Sequence, residues 1–293
     1  MSKKRLAVLA ALTLVLAVGV AACGGGDEAS DDLLAQIEEE GVLTVSTDPA
    51  YPPQSELNEE TGEYEGFDID VAKEIADRMG VDIAWEAPSW ETITGGNWAG
   101  RWDISVGSMT ITPERAEVLH FTPPYYYTPA GIAVHEANTT INGVEDLDGK
   151  RIGVCGACTY DTYLQGTLEI AQDPSGEAVA IELPIENPRI QTKETDILAI
   201  DDLALGDGVR LDAVISALPT LQEAINNGKS IKIVGDPVYQ EPLSVALDRN
   251  SELDPQSLLD RISDIIEEMH EDGTLSELSE KWYGIDLTQG PES

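Results

Sequence analysis

The chain has 293 residues with 55 acidic and only 17 basic side chains, so its formal net charge is −38. A surface this acidic repels phosphate, which argues against nucleic acid as a partner. Three scattered His and three Cys form no four-ligand zinc pattern, and no cofactor-binding motif occurs, so neither a metal nor a cofactor is predicted.

The N-terminus has the pattern of a secretory signal peptide, predicted over residues 1–22. A basic segment at 3–5 precedes an apolar run at 6–22, which is slightly short for a membrane span. Cys23 follows two alanines and resembles the lipidated Cys of a bacterial lipobox; the alternatives are an ordinary signal peptide or a single membrane helix. Cleavage removes three positive charges and takes the net charge to −41. Residues 23–32, small and acidic, are then a flexible tether anchored to the membrane by lipid.

Beyond the tether, runs with strand-like and helix-like spacing alternate along the chain. Asp68 is predicted to cap the helix over 66–80. The predicted helices span 31–40, 66–80, 90–98, 160–171, 218–226, 255–269 and 275–283. The predicted strands span 42–47, 81–85, 103–109, 131–135, 151–154, 180–183, 212–216, 231–234 and 244–247. This alternation predicts an α/β architecture with open, parallel-rich sheets.

Ligands in such sheets bind outside the carboxyl ends of the strands, which draws attention to Arg115. Cations are few here, and this one follows the strand predicted over 103–109, close to Ser108 and Thr110. A guanidinium binds a carboxylate through two parallel hydrogen bonds, and neighbouring hydroxyls add contacts to the same anion. The alternative is that Arg115 pairs with one of the many acidic side chains.

Two aromatic residues, Tyr51 and Trp90, also lie just beyond predicted strands. Flat aromatic faces pack against the apolar parts of a ligand and attract cations. For either residue the alternative is ordinary core packing.

Cys155 and Cys158 form a C-x-x-C motif at a predicted strand-to-helix turn. In an oxidising compartment a structural disulfide is the simplest interpretation. Free thiols and a redox function remain as alternatives.

Seven groups of residues, in this order, resemble the extracellular solute-binding proteins, family 3, which serve ABC importers of polar amino acids. The resemblance covers about residues 31–285. The motifs are GVLTV at 41–45, DPAYPP at 48–53, GFDIDVA at 66–72, TITPER at 110–115, FTPPYY at 121–126, LDGKRIGV at 147–154, and DGTL with KWYG at 272–275 and 281–284.

The resemblance implies a periplasmic-binding-protein-like type II fold, with two α/β lobes joined by a two-strand hinge. Lobe 1 is expected to comprise residues 33–128 plus 243–288, and lobe 2 residues 129–242. It also implies a monomer that binds a small-molecule ligand and an ABC permease. The ligand-binding residues carried over from the family are Asp48, Tyr51, Trp90, Gly107, Ser108, Thr110, Arg115 and Thr159.

The sequence departs from the family pattern where an acid normally accepts the ligand ammonium group. That position is Ala217, so a buried ammonium lacks its usual charged partner. Either another acid supplies the charge, with Asp161 and Asp201 as conceivable substitutes, or the ligand is not a standard α-amino acid. Gln54 also stands where the family often has an aromatic residue.

The sequence therefore predicts a membrane-tethered receptor that captures a small carboxylate-bearing solute for an ABC importer. One alternative is an enzyme that resembles cyclohexadienyl dehydratases, because a fold does not fix a function. Such an enzyme needs a general acid or base in the cleft, and incubation with prephenate or arogenate would reveal it. The other alternative is a ligand-sensing module.

Overall fold

The structure, a computed structural model, describes residues 31–290. The predicted signal peptide and Cys23 lie outside the described residues. The helices are α1 (Leu33–Glu40), α2 (Phe67–Met79), α3 (Trp90–Thr94), α4 (Pro113–Ala116), α5 (Thr159–Leu164), α6 (Asp196–Ala204), α7 (Leu218–Asn226), α8 (Gln256–Glu271) and α9 (Thr274–Tyr283). A short 3₁₀ turn covers Val144–Leu147.

Nine of the strands form one mixed sheet, ordered β12-β9-β13-β8-β14-β6-β1-β5, with β7 pairing with β14. The strands are β1 (Val42–Ser46), β2 (Ala50–Tyr51), β3 (Ser55–Asn58), β4 (Glu63–Glu65), β5 (Asp82–Glu86), β6 (Ile104–Thr110), β7 (Leu119–Phe121), β8 (Tyr126–His135), β9 (Arg151–Cys155), β10 (Glu169–Ile170), β11 (Val179–Ala180), β12 (Arg189–Lys193), β13 (Ala213–Ala217) and β14 (Ile231–Asp248). The two small sheets are β2-β3-β4 and β10-β11.

Two long antiparallel strands, β8 and β14, run through the middle of the large sheet. On one side β14 pairs with β6, which continues into the parallel pairs β6–β1 and β1–β5. On the other side β8 pairs with β13, which continues into the parallel pairs β13–β9 and β9–β12. The expected pair of parallel-rich sheets is therefore joined into one mixed sheet by these strands.

The buried apolar residues form separate clusters on the two sides of these central strands. The largest cluster draws only on residues 33–126 and 243–275, packing α1, α2, α8 and α9 against the sheet. Two others draw only on residues 130–239. The described residues, 31–290, nevertheless form one compact unit. The lobe boundaries at 128/129 and 242/243 thus stay a prediction.

Local chemistry explains where α1 and α2 begin. The Asp32 carboxylate accepts the N–H of Ala35 (2.9 Å) and caps α1. At the start of α2, Gly66 has φ +136°, and a Cβ there would lie 2.2 Å from the carbonyl oxygen of Gln54. The expectation that Asp68 caps α2 is wrong: the cap residue is Gly66, and Asp68 is buried inside the first turn.

Several predicted elements differ in extent, and glycines account for two of the differences. The helices predicted over 90–98 and 160–171 end at Thr94 and Leu164, just before Gly95 and shortly before Gly166. The strands predicted over 231–234 and 244–247 are parts of β14. The helix α6 and the strand β12 were not predicted.

Candidate functional site

All eight residues predicted to bind ligand line one pocket, together with four others. The empty space between the lining residues, including the part open to solvent, measures about 360 Å³. The lining residues are Asp48, Tyr51, Trp90, Gly107, Ser108, Thr110, Arg115, Cys158, Thr159, Tyr160, Asp196 and Glu241.

The pocket lies where the strands β1, β6 and β9 end, as expected for ligands of an α/β sheet. Asp48 follows β1, and Thr110 is the last residue of β6. Across the pocket, Thr159 begins α5 just after β9, and Asp196 begins α6. Glu241 comes from the central strand β14. The topology thus brings together residues that are far apart in sequence.

Arg115 is held in a fixed position by the backbone on both sides of the pocket. It belongs to the short helix α4, and its side chain is 7% exposed. Its guanidinium donates from Nη1 to the Thr110 carbonyl (3.0 Å) and from Nη2 to the Ala157 carbonyl (2.9 Å). Its Cζ lies 5.5 Å from the centroid of the Trp90 ring. The guanidinium is therefore oriented before any ligand is present.

The expected alternative for Arg115, an ion pair with a neighbouring acid, is not observed. Within residues 31–290, no carboxylate lies within 4.0 Å of its guanidinium. Burial lowers the pKa of Arg115, while the negative charge of Glu241 acts in the opposite direction. A buried cation that uses only backbone carbonyls keeps donors for an anion, because a guanidinium has five N–H groups.

Asp196 is one of two pocket acids that the sequence did not point out. It follows Thr195, which caps α6, and it is 5% exposed. The Ser216 hydroxyl donates to its Oδ1 at 2.5 Å. Burial raises the pKa of Asp196 to about 7, partly offset by the hydrogen bond from Ser216 and reinforced by the charges of Asp48 and Glu241. Asp196 therefore titrates near neutral pH.

Glu241 is the second unexpected acid, and it is 2% exposed. It accepts the hydroxyl hydrogen of Thr110 (2.7 Å) and that of Thr159, which are on opposite sides of the pocket. Burial raises the pKa of Glu241, whereas the hydroxyls of Thr159, Thr110 and Tyr160 and the charge of Arg115 lower it.

Ser108 is positioned from behind the pocket by a buried acid. Its backbone is left-handed, with φ +56°, and its N–H donates to the Tyr125 hydroxyl at 2.9 Å. The hydroxyls of Ser108 and Tyr125 both donate to Asp68, each at 2.7 Å. Burial raises the pKa of Asp68 to about 7, and these two hydrogen bonds oppose that rise. These contacts hold Ser108 in a backbone conformation that is costly for a residue with a Cβ.

The two aromatic residues have different surroundings. The Tyr51 hydroxyl lies 3.0 Å from that of Tyr160, joining β2 to α5 across the pocket. Trp90 lines the pocket and also packs against a buried cluster that includes Ile93 and Met109. The Trp90 side chain therefore packs against the core and also forms part of the pocket wall.

The positions where the sequence departs from the family lie away from the pocket wall. Ala217 is buried at the end of β13, and Gln54 is buried and accepts a hydrogen bond from Thr220 (3.2 Å). Neither suggested substitute acid lines the pocket: Asp161 lines a neighbouring outer cavity, and Asp201 is paired with Lys229. The signal that was missed is Thr195-Asp196, a helix start followed by apolar residues at helical spacing.

The turn whose Ala157 carbonyl accepts from Arg115 also contains a disulfide, between Cys155 and Cys158, whose Cα atoms are 5.6 Å apart. Their sulfurs and a carboxylate oxygen of Asp196 lie within 4.8 Å of one another. Because each sulfur is bonded to the other, neither is available as a thiolate ligand for a metal.

Fold and pocket together define a class: an α/β protein that encloses a small, partly charged ligand site between the ends of its strands. The sequence matches, over residues 43–285, the family described as bacterial extracellular solute-binding proteins, family 3. The chain belongs to that family.

Relatives and solved structures agree with the class. The chain is 27% identical to the L-cystine-binding protein TcyJ of Escherichia coli (strain K12), covering 97% of each chain. It is similar to an ancestral arginine-binding protein bound to arginine, with 30% identity and a TM-score of 0.69, over 83% of this chain and 99% of that one.

A second similar structure is the ancestral amino acid-binding protein AncCDT-1, a precursor of cyclohexadienyl dehydratase. The identity is 29% and the TM-score is 0.71, over 85% of this chain and 99% of that one. The predicted type II periplasmic-binding-protein fold is thus confirmed, as is a solute-binding role. Among the described residues, no helix is both long and apolar enough to span a membrane.

Proposed function

We propose that this protein is the membrane-anchored receptor of an ABC importer. It captures an amino acid, or a derivative that keeps the carboxylate, and delivers it as a monomer to the permease. A lipid on Cys23 holds it outside the cytoplasm. Capture rather than catalysis is proposed because TcyJ and the arginine-bound structure are named as binding proteins.

One observation carries the proposal: Arg115 is buried, fixed and, within residues 31–290, without a carboxylate partner of its own. A ligand carboxylate supplies that partner through two parallel hydrogen bonds. Micromolar binding corresponds to about −8 kcal/mol, and a hydrogen bond to a charged group contributes about 1.5–3 kcal/mol. Arg115 is therefore expected to provide a large share of the affinity.

The acids of the pocket favour a ligand that also carries an ammonium group. Asp48, Asp196 and Glu241 line the pocket, against one lining cation. Burial raises the pKa of each of these acids, so the empty pocket disfavours their charged forms. A ligand ammonium relieves that cost. We assign the ammonium to Asp196, which takes over the role that Ala217 cannot perform.

The proposal is tested by binding measurements on the purified protein without its signal peptide. A thermal-shift screen of amino acids, betaines and small carboxylates identifies ligands, because binding raises the melting temperature. Titration calorimetry then compares the wild type with Arg115→Met. We expect at least a tenfold loss of affinity for carboxylate ligands, with cooperative thermal unfolding retained.

Arg101→Met is the matched control. Arg101 also donates to a backbone carbonyl, that of Trp98 (2.8 Å), and also lies over an indole ring, that of Trp102, but outside the pocket. The control should leave affinity unchanged. Equal affinities for wild type and Arg115→Met, with the fold intact, would refute the assignment of the carboxylate to Arg115.

A further inference from the structure

A single buried carboxylate sets the direction of hydrogen bonds inside the pocket. Glu241 accepts from the hydroxyls of both Thr110 and Thr159. A threonine hydroxyl has one hydrogen to donate and two lone pairs with which to accept. Because each of these hydrogens is used by Glu241, the two oxygens offer only lone pairs to other groups. One of them, Oγ1 of Thr159, already accepts from the Tyr239 hydroxyl (3.3 Å).

The remaining aliphatic hydroxyl of the pocket has the same orientation. Ser108 donates its hydrogen to Asp68, which lies behind the pocket wall. Among the described residues of the wall, all three aliphatic hydroxyls therefore give their hydrogens to carboxylates and have none left to donate to a ligand. Arg115 is the one described lining side chain that brings a positive charge.

We propose that Glu241 is a specificity-determining residue: by taking the hydroxyl hydrogens of Thr110 and Thr159, it turns both oxygens into acceptors and so selects ligands that bring N–H donors. The inference rests on the proposed function, because it deepens the chemistry of the same pocket. This role of Glu241 differs from direct attraction between its negative charge and a ligand cation, because it acts through the hydroxyls of Thr110 and Thr159.

The position of Glu241 fits this role. It lies on the central strand β14, paired in register with Thr128, and it is 2% exposed. Thr110 ends β6 and Thr159 begins α5, so one carboxylate orients hydroxyls on both sides of the pocket. Within residues 31–290, no Lys, Arg or His lies within 4.0 Å of this carboxylate. The hydroxyls are therefore its direct partners.

The test uses Glu241→Met, which keeps the length of the side chain but removes the acceptor. Both hydroxyls donate to the same oxygen, Oε1, so a glutamine, whose amide oxygen has two lone pairs, could still accept from both, whereas a methionine leaves each threonine to turn its own hydrogen towards the pocket. The probes are L-arginine and L-cystine, each compared with its deamino analogue, guanidinopentanoate or dithiodipropionate. For the probe that the wild type binds, we expect the variant to lose at least tenfold in affinity, and the deamino analogue to lose less than threefold.

Two further sets of variants separate this effect from loss of folding. Glu252→Met, the same substitution on an exposed residue, should leave both affinities unchanged. Thr110→Val and Thr159→Val each remove one acceptor oxygen at nearly constant volume, and each should reproduce the selective loss for the amino acid. They keep the proposal testable if Glu241→Met does not fold, which thermal unfolding will show.

The outcomes are distinct. Equal losses for the amino acid and its deamino analogue would show that Glu241 only shapes the pocket, and would overturn the inference. No loss for either ligand would overturn it as well. If the wild type binds the amino acid and its deamino analogue equally, the ammonium group contributes nothing to binding. The inference then fails, whereas the proposed binding of the carboxylate by Arg115 stands. If the wild type binds no amino acid or carboxylate, the proposed function and the inference fail together.

Discussion

Replacing Asp196 by Asn tests whether this acid substitutes for the one that the family pattern places at Ala217. The amide is nearly isosteric with the carboxylate and still accepts from the Ser216 hydroxyl, which lies 2.5 Å from Oδ1 in the structure. The substitution therefore removes the negative charge while keeping the shape of the pocket wall. We expect weaker binding of ligands that carry an ammonium group.

The magnitude follows from the contact that is lost. A charge-assisted hydrogen bond contributes about 1.5–3 kcal/mol, so affinity should fall by about 10- to 150-fold at pH 8. The pKa of Asp196 in the empty pocket is raised to about 7 by burial. Below that pH the carboxylate must lose a proton before it can pair with an ammonium, so wild-type affinity should fall up to about tenfold per pH unit.

The ligand-free protein should respond to pH in the opposite direction: the contribution of Asp196 to its stability is larger at low pH, whereas ligand affinity is larger at high pH. A carboxyl group whose pKa is higher in the folded state than in the unfolded state, about 3.9, binds its proton more tightly when folded. Its contribution to the free energy of unfolding therefore decreases as the pH rises from about 4 to about 7. Asp196→Asn removes this contribution, so the variant should be at least as stable as the wild type at pH 8.

Titration calorimetry between pH 5.5 and 8 measures the effect on binding, and urea unfolding at the same pH values measures stability. Asp201→Asn is the matched control, because Asp201 lies on the same helix but is paired with Lys229 outside the pocket. Unchanged affinity of Asp196→Asn at pH 8, together with a pH dependence of binding like that of the wild type, would refute the reasoning.

Two other predictions concern buried positions outside the pocket wall, at the start of α2 and at the end of β13. Gly66→Ala should lower the free energy of unfolding by about 1–3 kcal/mol or more, because φ is +136° and the new Cβ would lie 2.2 Å from the Gln54 carbonyl oxygen; a urea midpoint equal to that of the wild type would contradict this. Ala217→Asp should destabilise the protein by several kcal/mol, because it places a charge at a fully buried position, without improving affinity. Tighter binding of an amino acid by Ala217→Asp would instead restore the family position as the ammonium site and remove that role from Asp196.

The sequence predicted the pocket wall well because its residues belong to short, contiguous motifs. Arg115, Thr110 and Ser108 lie within eight residues of one another, at the end of a buried strand. The rule that ligands bind at the carboxyl ends of strands then selects the correct edge of the sheet. Local patterns of this kind are visible without any knowledge of distant contacts.

The sequence did not reveal two acids of the pocket, Asp196 and Glu241. They are two of 55 acidic residues, and although Thr195-Asp196 marks the start of a helix, the local sequence does not show that either acid is buried. Asp161 and Asp201 were equally plausible from the sequence. Only the packing of α6 and β14 against the rest of the sheet decides which carboxylates are removed from water and line the same pocket as Arg115.

By itself, the sequence determined the family and the α/β class and pointed to Arg115 as a residue of the pocket wall, because strand and helix periodicity and a run of local motifs suffice for these. Tertiary structure decided how the pocket is charged and which way its hydroxyls point. Both depend on burial and on contacts such as Glu241 with Thr110, which are 131 residues apart. The net charge of −38 describes the surface, whereas the character of the pocket depends on a few acids that folding removes from water.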